Sequence, residues 1–239
     1  MVPWVFTNRN VKGRHRPHSR KGAKAVLLRY ETLIFDLDGT ISDPFVGISR
    51  CINYALESLR YDPVNPERIR SMIGPPLTEI FEHFLGPLPG QDMQDLVDKY
   101  RERYAMVGYA ENEMYDDIPR IIAQLAGNGY RMGICTSKRA DYAQRIVDMF
   151  SLTQHFAFVD GGDVGIEKRQ QIASMVTNGL SASSSVMIGD RAIDVFAGKS
   201  NDVASVGVLW GFGERLELEE AAPDHLLETP ADLLDLFLQ

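Results

Sequence analysis

The chain has 239 residues, 44% of them hydrophobic and 24% charged. That is enough for one globular core carrying a smaller second unit, and no uninterrupted apolar run approaches the roughly 18 residues of a membrane-spanning helix. The net charge of −8 is uneven: residues 1–29 hold eight of the 25 Lys and Arg and no acid, leaving 17 basic against 33 acidic residues, a balance that argues against the body binding nucleic acid.

The elements follow in chain order. The basic head lacks apolar periodicity and reads as a disordered extension over 1–29, with no apolar stretch behind its charges to make it a secretory signal. Glu31–Asp36 reads as a short buried strand stopped by Gly39. From about Gly47, Ile48, Cys51, Ile52, Ala55, Leu56 and Leu59 recur at helical steps until Pro63 and Pro66. Helical stretches over Pro66–Ile73, Leu77–Leu85 and Asp92–Val107 follow, the last two separated by the Gly86–Gly90 cluster of glycine and proline.

Alternation then begins. Helices over Ile118–Gly127, Arg139–Phe150, Lys168–Asn178 and Ala192–Lys199 precede strands over Arg131–Thr136, around Phe156–Val159, over Ser185–Ile188 and over Ala204–Val208, respectively. This order implies an α/β fold: a Rossmann-like parallel-sheet core, residues 30–44 and 116–239, with an inserted small α-helical cap at 45–115. Cys51 and Cys135 lie far apart in apolar stretches, which argues against a disulfide framework or zinc site and fits a reducing, cytoplasmic compartment.

In parallel α/β sheets, ligands bind at the carboxyl ends of the strands. The first strand delivers Asp36, Asp38 and Thr40 there. The second delivers Thr136, Ser137 and Lys138, Lys168 follows the third, and the fourth delivers Asp190 and Asp194. Singly each has an ordinary reading as a turn, cap or surface charge. Together they bring four carboxylates, a lysine and a hydroxyl to one edge. Close like charges repel and need a cation, and an all-oxygen set favours magnesium over zinc or copper. Asp38, two residues beyond Asp36, shares its face if the chain stays extended. That spacing suits a group that protonates a leaving oxygen and then activates water.

Phe35–Thr40 resembles the first motif of the haloacid dehalogenase superfamily. Ile134–Lys138 is similar to its second, Lys168 matches its third, and Met187–Asp194 is similar to its fourth, of the form Gly-Asp-x-x-x-Asp. The resemblance runs from about residue 31 to the C-terminus. It implies magnesium-dependent phosphoryl transfer through an aspartyl-phosphate, on a small phosphorylated metabolite. Carried over, Asp36 is nucleophile and metal ligand. Asp38 is the acid/base, its carbonyl also meeting the metal. Thr136 and the Ser137 amide hold phosphate, Lys168 neutralises nucleophile and phosphate, Asp190 ligates the metal and Asp194 supports that site.

Three segments further resemble phosphoglycolate phosphatase-like proteins: Ile73–Leu77, Gly161–Asp163 and Val206–Gly213, the last expected to pack and turn the chain beside the site. Similar sequences act on nucleotides or pyrophosphate. Two positions depart from the pattern: Arg169-Gln170 follows Lys168 where many relatives have proline, and Ser137 stands where Asn is frequent. A phosphosugar mutase and a non-catalytic binding protein on this scaffold are the competing readings. Every expected catalytic position is filled, which disfavours the second. Oligomeric state is not legible.

Overall fold

The computed structural model describes residues 30–162 and 166–238. The expectations for the basic head and for Asp163 therefore lie outside the described residues. In chain order the elements are β1 (Thr32–Phe35), β2 (Ser42–Asp43), α1 (Phe45–Ser58), α2 (Pro66–Arg70), α3 (Leu77–Leu85), α4 (Gly90–Met106), β3 (Glu113–Met114), α5 (Ile118–Gly127), β4 (Arg131–Arg139), α6 (Ala140–Met149), β5 (Phe158–Gly162), α7 (Lys168–Thr177), β6 (Ser185–Gly189), α8 (Ala192–Lys199), β7 (Ala204–Val208), α9 (Arg215–Ala221), β8 (His225–Leu227) and α10 (Asp232–Leu238). No helix among the described residues is long and apolar enough to cross a membrane.

Six strands form one sheet in the order β5-β4-β1-β6-β7-β8, and every neighbouring pair in it is parallel. The chain builds outward from β1 on one side through β4 and β5, then crosses to the other side for β6, β7 and β8. The reversal leaves a crevice between the ends of β1 and β6, where open α/β sheets bind ligands.

Strand β1 shows why the sheet is covered on both faces. Successive side chains point to opposite sides. Leu33 and Phe35 join a cluster with Ile118, Ile121 and Leu125 of α5, Ile146 of α6 and Phe237 of α10. Ile34 joins Ile172 of α7 and Ala197 of α8. A strand buried on both faces reads as a continuous apolar run rather than an alternating one.

Helices α1 to α4 build a second cluster in which Ile48, Ile52 and Leu56 meet Ile69, Phe81, Leu96 and Tyr100. Ile73, between α2 and α3, and Tyr142 of α6 are buried members of it from outside these helices. Strands β2 and β3 pair antiparallel where the chain enters and leaves this helical block. Asn65 caps α2 by accepting from the Glu67 amide at 2.9 Å, and Pro66 takes the first helical position, where its missing N–H costs nothing.

The structure corrects several boundaries. Helix α2 ends at Arg70 rather than Ile73, ahead of Gly74 at φ +123° and two prolines. Helix α4 starts at Gly90, before the expected Asp92. Strand β4 runs on to Arg139, with a register shift between Thr136 and Arg139 that local pattern does not reveal. The strand expected around Phe156–Val159 is β5, at Phe158–Gly162. Phe156 is apolar because it packs edge-to-face on Phe35 from a loop, centroids 6.2 Å apart. The sequence reading named none of α9, β8 and α10, which are too short for periodicity to register.

Candidate active site

Asp36 directly follows β1, and its amide donates to the Ile188 carbonyl at 2.8 Å, extending the β1–β6 ladder by one residue. The chain then turns sharply. The Gly39 amide donates to Ser42 O, and the amides of Ile41 and Ser42 donate to Leu37 O. Gly39 has φ +85°, and a Cβ there would lie 2.1 Å from Asp190 Oδ2. Only glycine lets this turn press against the end of β6.

Asp190 directly follows β6 and is fully buried. Its Oδ2 accepts from the Phe212 amide at 2.8 Å, and its Oδ1 faces the Thr40 hydroxyl at 3.4 Å. Asp194 lies in the first turn of α8, where its Oδ2 accepts from the Arg191 amide at 3.0 Å. Asp36, Asp190 and Asp194 each offer a carboxylate oxygen, all within 4.8 Å of one another and all buried. Burial, then the charges of Asp194 and Asp36, push the Asp190 carboxyl well above the usual range. Burial also raises Asp194, against the pull of Lys168. Among the described residues these three buried carboxylates have one lysine, Lys168, which touches two of them, a charge balance that suits a hard divalent cation such as magnesium.

Lys168 opens α7 with its side chain 2% exposed. Its Nζ donates to Asp194 Oδ1 at 2.5 Å and stands 3.0 Å from Asp36 Oδ1. Burial would lower the ammonium pKa, but the charges of Asp194 and Asp36 outweigh it and hold the group above the ordinary lysine value. Thr136 is buried near the end of β4, and Ser137 is exposed. The pairing of Phe35 with Ile134 sets these two residues just beyond Asp36 on the neighbouring strand. Gln171, one turn after Lys168, is buried and donates to Thr136 O at 3.3 Å.

Asp38 brings in a residue to which the sequence reading assigned no role. Its Oδ2 lies 2.8 Å from Lys138 Nζ, and the lysine side chain is 8% exposed. Burial pushes the Asp38 carboxyl up, and Lys138 opposes it. Local pattern holds no signal for Lys138, because the register shift between Thr136 and Arg139 interrupts simple alternation in this stretch of β4.

The structure thus gathers Asp36, Asp190 and Asp194 within 4.8 Å of one another, with Lys168 bridging Asp36 and Asp194. It sets Asp38 with Lys138 at its edge and places Thr136 and Ser137 by register alone. A family profile described as haloacid dehalogenase-like hydrolase matches residues 33–208. The chain belongs to the haloacid dehalogenase-like hydrolases. A 5'-nucleotidase of Pseudomonas aeruginosa is 36% identical over 202 residues, covering 83% of this chain and 91% of that protein. A phosphoglycolate phosphatase of Aquifex aeolicus is 26% identical over 216 residues, covering 85% and 95%. A haloacid dehalogenase-like family hydrolase from Streptococcus pneumoniae superposes with a TM-score of 0.81 at 26% identity, covering 87% of this chain and 99% of that one. The chain is accordingly an enzyme, a haloacid dehalogenase-like phosphatase.

Within this hydrolase, the Val206–Gly213 segment packs beside the site, as expected. Trp210 Nε1 donates to Thr40 O at 3.0 Å, and Phe212 holds Asp190. The Ile73–Leu77 segment meets the sheet end through Arg191, whose Nη1 donates to the Ile73 carbonyl and whose Nε donates to Glu217. Arg103 of the helical block is taken up by Glu111 at 2.7 Å.

Proposed function

We propose that this protein is a magnesium-dependent phosphomonoesterase that hydrolyses a small phosphorylated metabolite through a phospho-Asp36 intermediate. The observation that carries the reading is the placement of Lys168 Nζ 3.0 Å from Asp36 within the buried carboxylate cluster. A buried carboxylate beside a fixed cation, at the switch-point crevice, is placed to attack an electrophilic phosphorus.

In this reading Asp36 attacks phosphorus and the ester P–O bond breaks. The leaving oxygen takes a proton from Asp38. Asp38 then removes a proton from water, the water oxygen attacks phosphorus, and the Asp36–phosphorus bond breaks to release inorganic phosphate. Thr136 and the Ser137 amide hold the phosphoryl oxygens, and Lys168 offsets charge on nucleophile and phosphate. Asp36, Asp190 and the Asp38 carbonyl would hold magnesium, with Asp194 in support. The ion supplies charge neutralisation for the cluster and the phosphoryl group. Residues 45–115 act as a cap over a core formed by 30–44 and 116–239, and two buried unpaired cysteines suit a cytoplasmic setting.

The substrate class divides between phosphoglycolate-like esters, which the Ile73–Leu77 and Val206–Gly213 segments favour, and nucleoside monophosphates, which the 36% identity to a 5'-nucleotidase favours. The test is phosphate release from phosphoglycolate, sugar phosphates, nucleoside monophosphates and pyrophosphate, with and without magnesium, by wild-type and Asp36→Asn protein. Magnesium-dependent release that vanishes in the variant supports the mechanism, and the fastest ester selects the class. Retained turnover in Asp36→Asn, or full turnover without a divalent ion, overturns it.

A further inference from the structure

Asp38 is held asymmetrically. Its Oδ2 is engaged by Lys138 Nζ at 2.8 Å, while its Oδ1 is buried without a hydrogen-bond partner. A buried carboxylate oxygen left unpaired is costly, so it marks a place where a partner arrives during function. Lys138 is itself held: its Nζ donates to Tyr104 Oη at 2.6 Å. Tyr104 belongs to α4 in the helical block, whereas Lys138 belongs to β4 in the sheet.

Tyr104 has little freedom to move. Its ring stacks on Tyr100 at 5.5 Å and meets Tyr142 edge-on at 5.0 Å. At its other end, the Lys138 amide donates to Thr136 Oγ1 at 3.3 Å, inside the irregular stretch of β4. The lysine is therefore anchored to the strand by its backbone and to the helical block by its ammonium, and that same ammonium engages Asp38.

We propose that Lys138 and Tyr104 are positioning residues for proton transfer by Asp38. By tying Oδ2, they turn the free Oδ1 toward the leaving oxygen, and they do so only while α4 is docked against the sheet. The inference rests on the acid/base reading of Asp38 and adds a chain by which the helical block controls it. The proton passes from Asp38 to the leaving oxygen as the ester bond breaks. Lys138 keeps its own protons throughout.

The test is the leaving-group dependence of kcat/KM. Wild type, Lys138→Met, Lys138→Arg, Tyr104→Phe and Asp36→Asn are compared on 4-nitrophenyl phosphate, whose leaving group needs little protonation, and on an alkyl phosphate, whose leaving group needs it fully. Thermal melts run alongside to confirm folding. Lys138→Met is expected to slow the alkyl ester at least tenfold more than the aryl ester. Tyr104→Phe should do so about threefold, and Lys138→Arg should restore much of the difference. Equal slowing of both esters in Lys138→Met and Tyr104→Phe, or none, overturns the proposal. Tyr104→Phe, which removes one oxygen, decides the matter if Lys138→Met fails to fold. Asp36→Asn separates the two readings: activity surviving there sinks the covalent mechanism, while the leaving-group pattern still judges Lys138.

Discussion

Lys168 Nζ lies 2.5 Å from Asp194 Oδ1, and neither side chain is more than 2% exposed. The same ammonium reaches Asp36 at 3.0 Å. One buried cation therefore serves two buried carboxylates, which gives it a structural part beside the catalytic one proposed for it. Removing one member of such a cluster leaves uncompensated charge. Lys168→Met should lose about 3–5 kcal/mol of stability in magnesium-free buffer and essentially all turnover. Urea unfolding measures the first effect, and a loss below about 1 kcal/mol would contradict the electrostatic account.

Asp190 is the opposite case. Burial and its acidic neighbours raise its carboxyl, so its charge is unfavourable in the absence of a cation. Asp190→Asn should relieve roughly 1 kcal/mol of strain in EDTA, a rise of about 2–4 °C in Tm for a chain of this size. Wild type should gain Tm on adding magnesium, because a ligand that binds only the folded state stabilises it. The variant should gain far less. An equal magnesium response in both proteins would remove Asp190 from the proposed ion site.

The pH dependence follows from Asp194. Burial pushes its carboxyl up to about 6 in the folded chain, against about 3.9 when unfolded. The folded state then holds this proton more tightly. Its stabilising effect is complete below about pH 4 and is lost as pH rises through about 6. In EDTA, the stability of Asp194→Asn relative to wild type should climb between pH 4.5 and 7, by on the order of 2 kcal/mol. A flat difference across that range would mean that Asp194 is not raised.

Gly39 tests the fit of the turn against β6. At φ +85°, an alanine costs about 1 kcal/mol in backbone strain, and its methyl would fall 2.1 Å from Asp190 Oδ2. The carboxylate has to move. Gly39→Ala should lose over a hundredfold in kcat/KM with only a modest fall in Tm, measured by phosphate release and thermal melts. Near-wild-type activity would show that the turn has room to adjust.

Much of the candidate site is legible in the sequence. Asp36, Asp190 and Lys168 follow or open elements marked by short apolar runs and glycines, and strand-end placement is a local property of a parallel α/β chain. Local pattern also separated the helical block from the sheet, since its periodicity is 3.6 throughout, whereas Leu33-Ile34-Phe35 is a run buried on both faces.

The tertiary structure decided what depends on distant partners. The sheet order, with β1 and β6 side by side, joins Thr40 to Asp190 across 150 residues of sequence. It also brings Lys138 to Tyr104 across 34, and through Lys138 to Asp38. A lysine in a strand has the same local signature whether it meets water or a buried carboxylate. The two differ by burial and by Coulomb interactions between elements, and these exist only once the elements have packed.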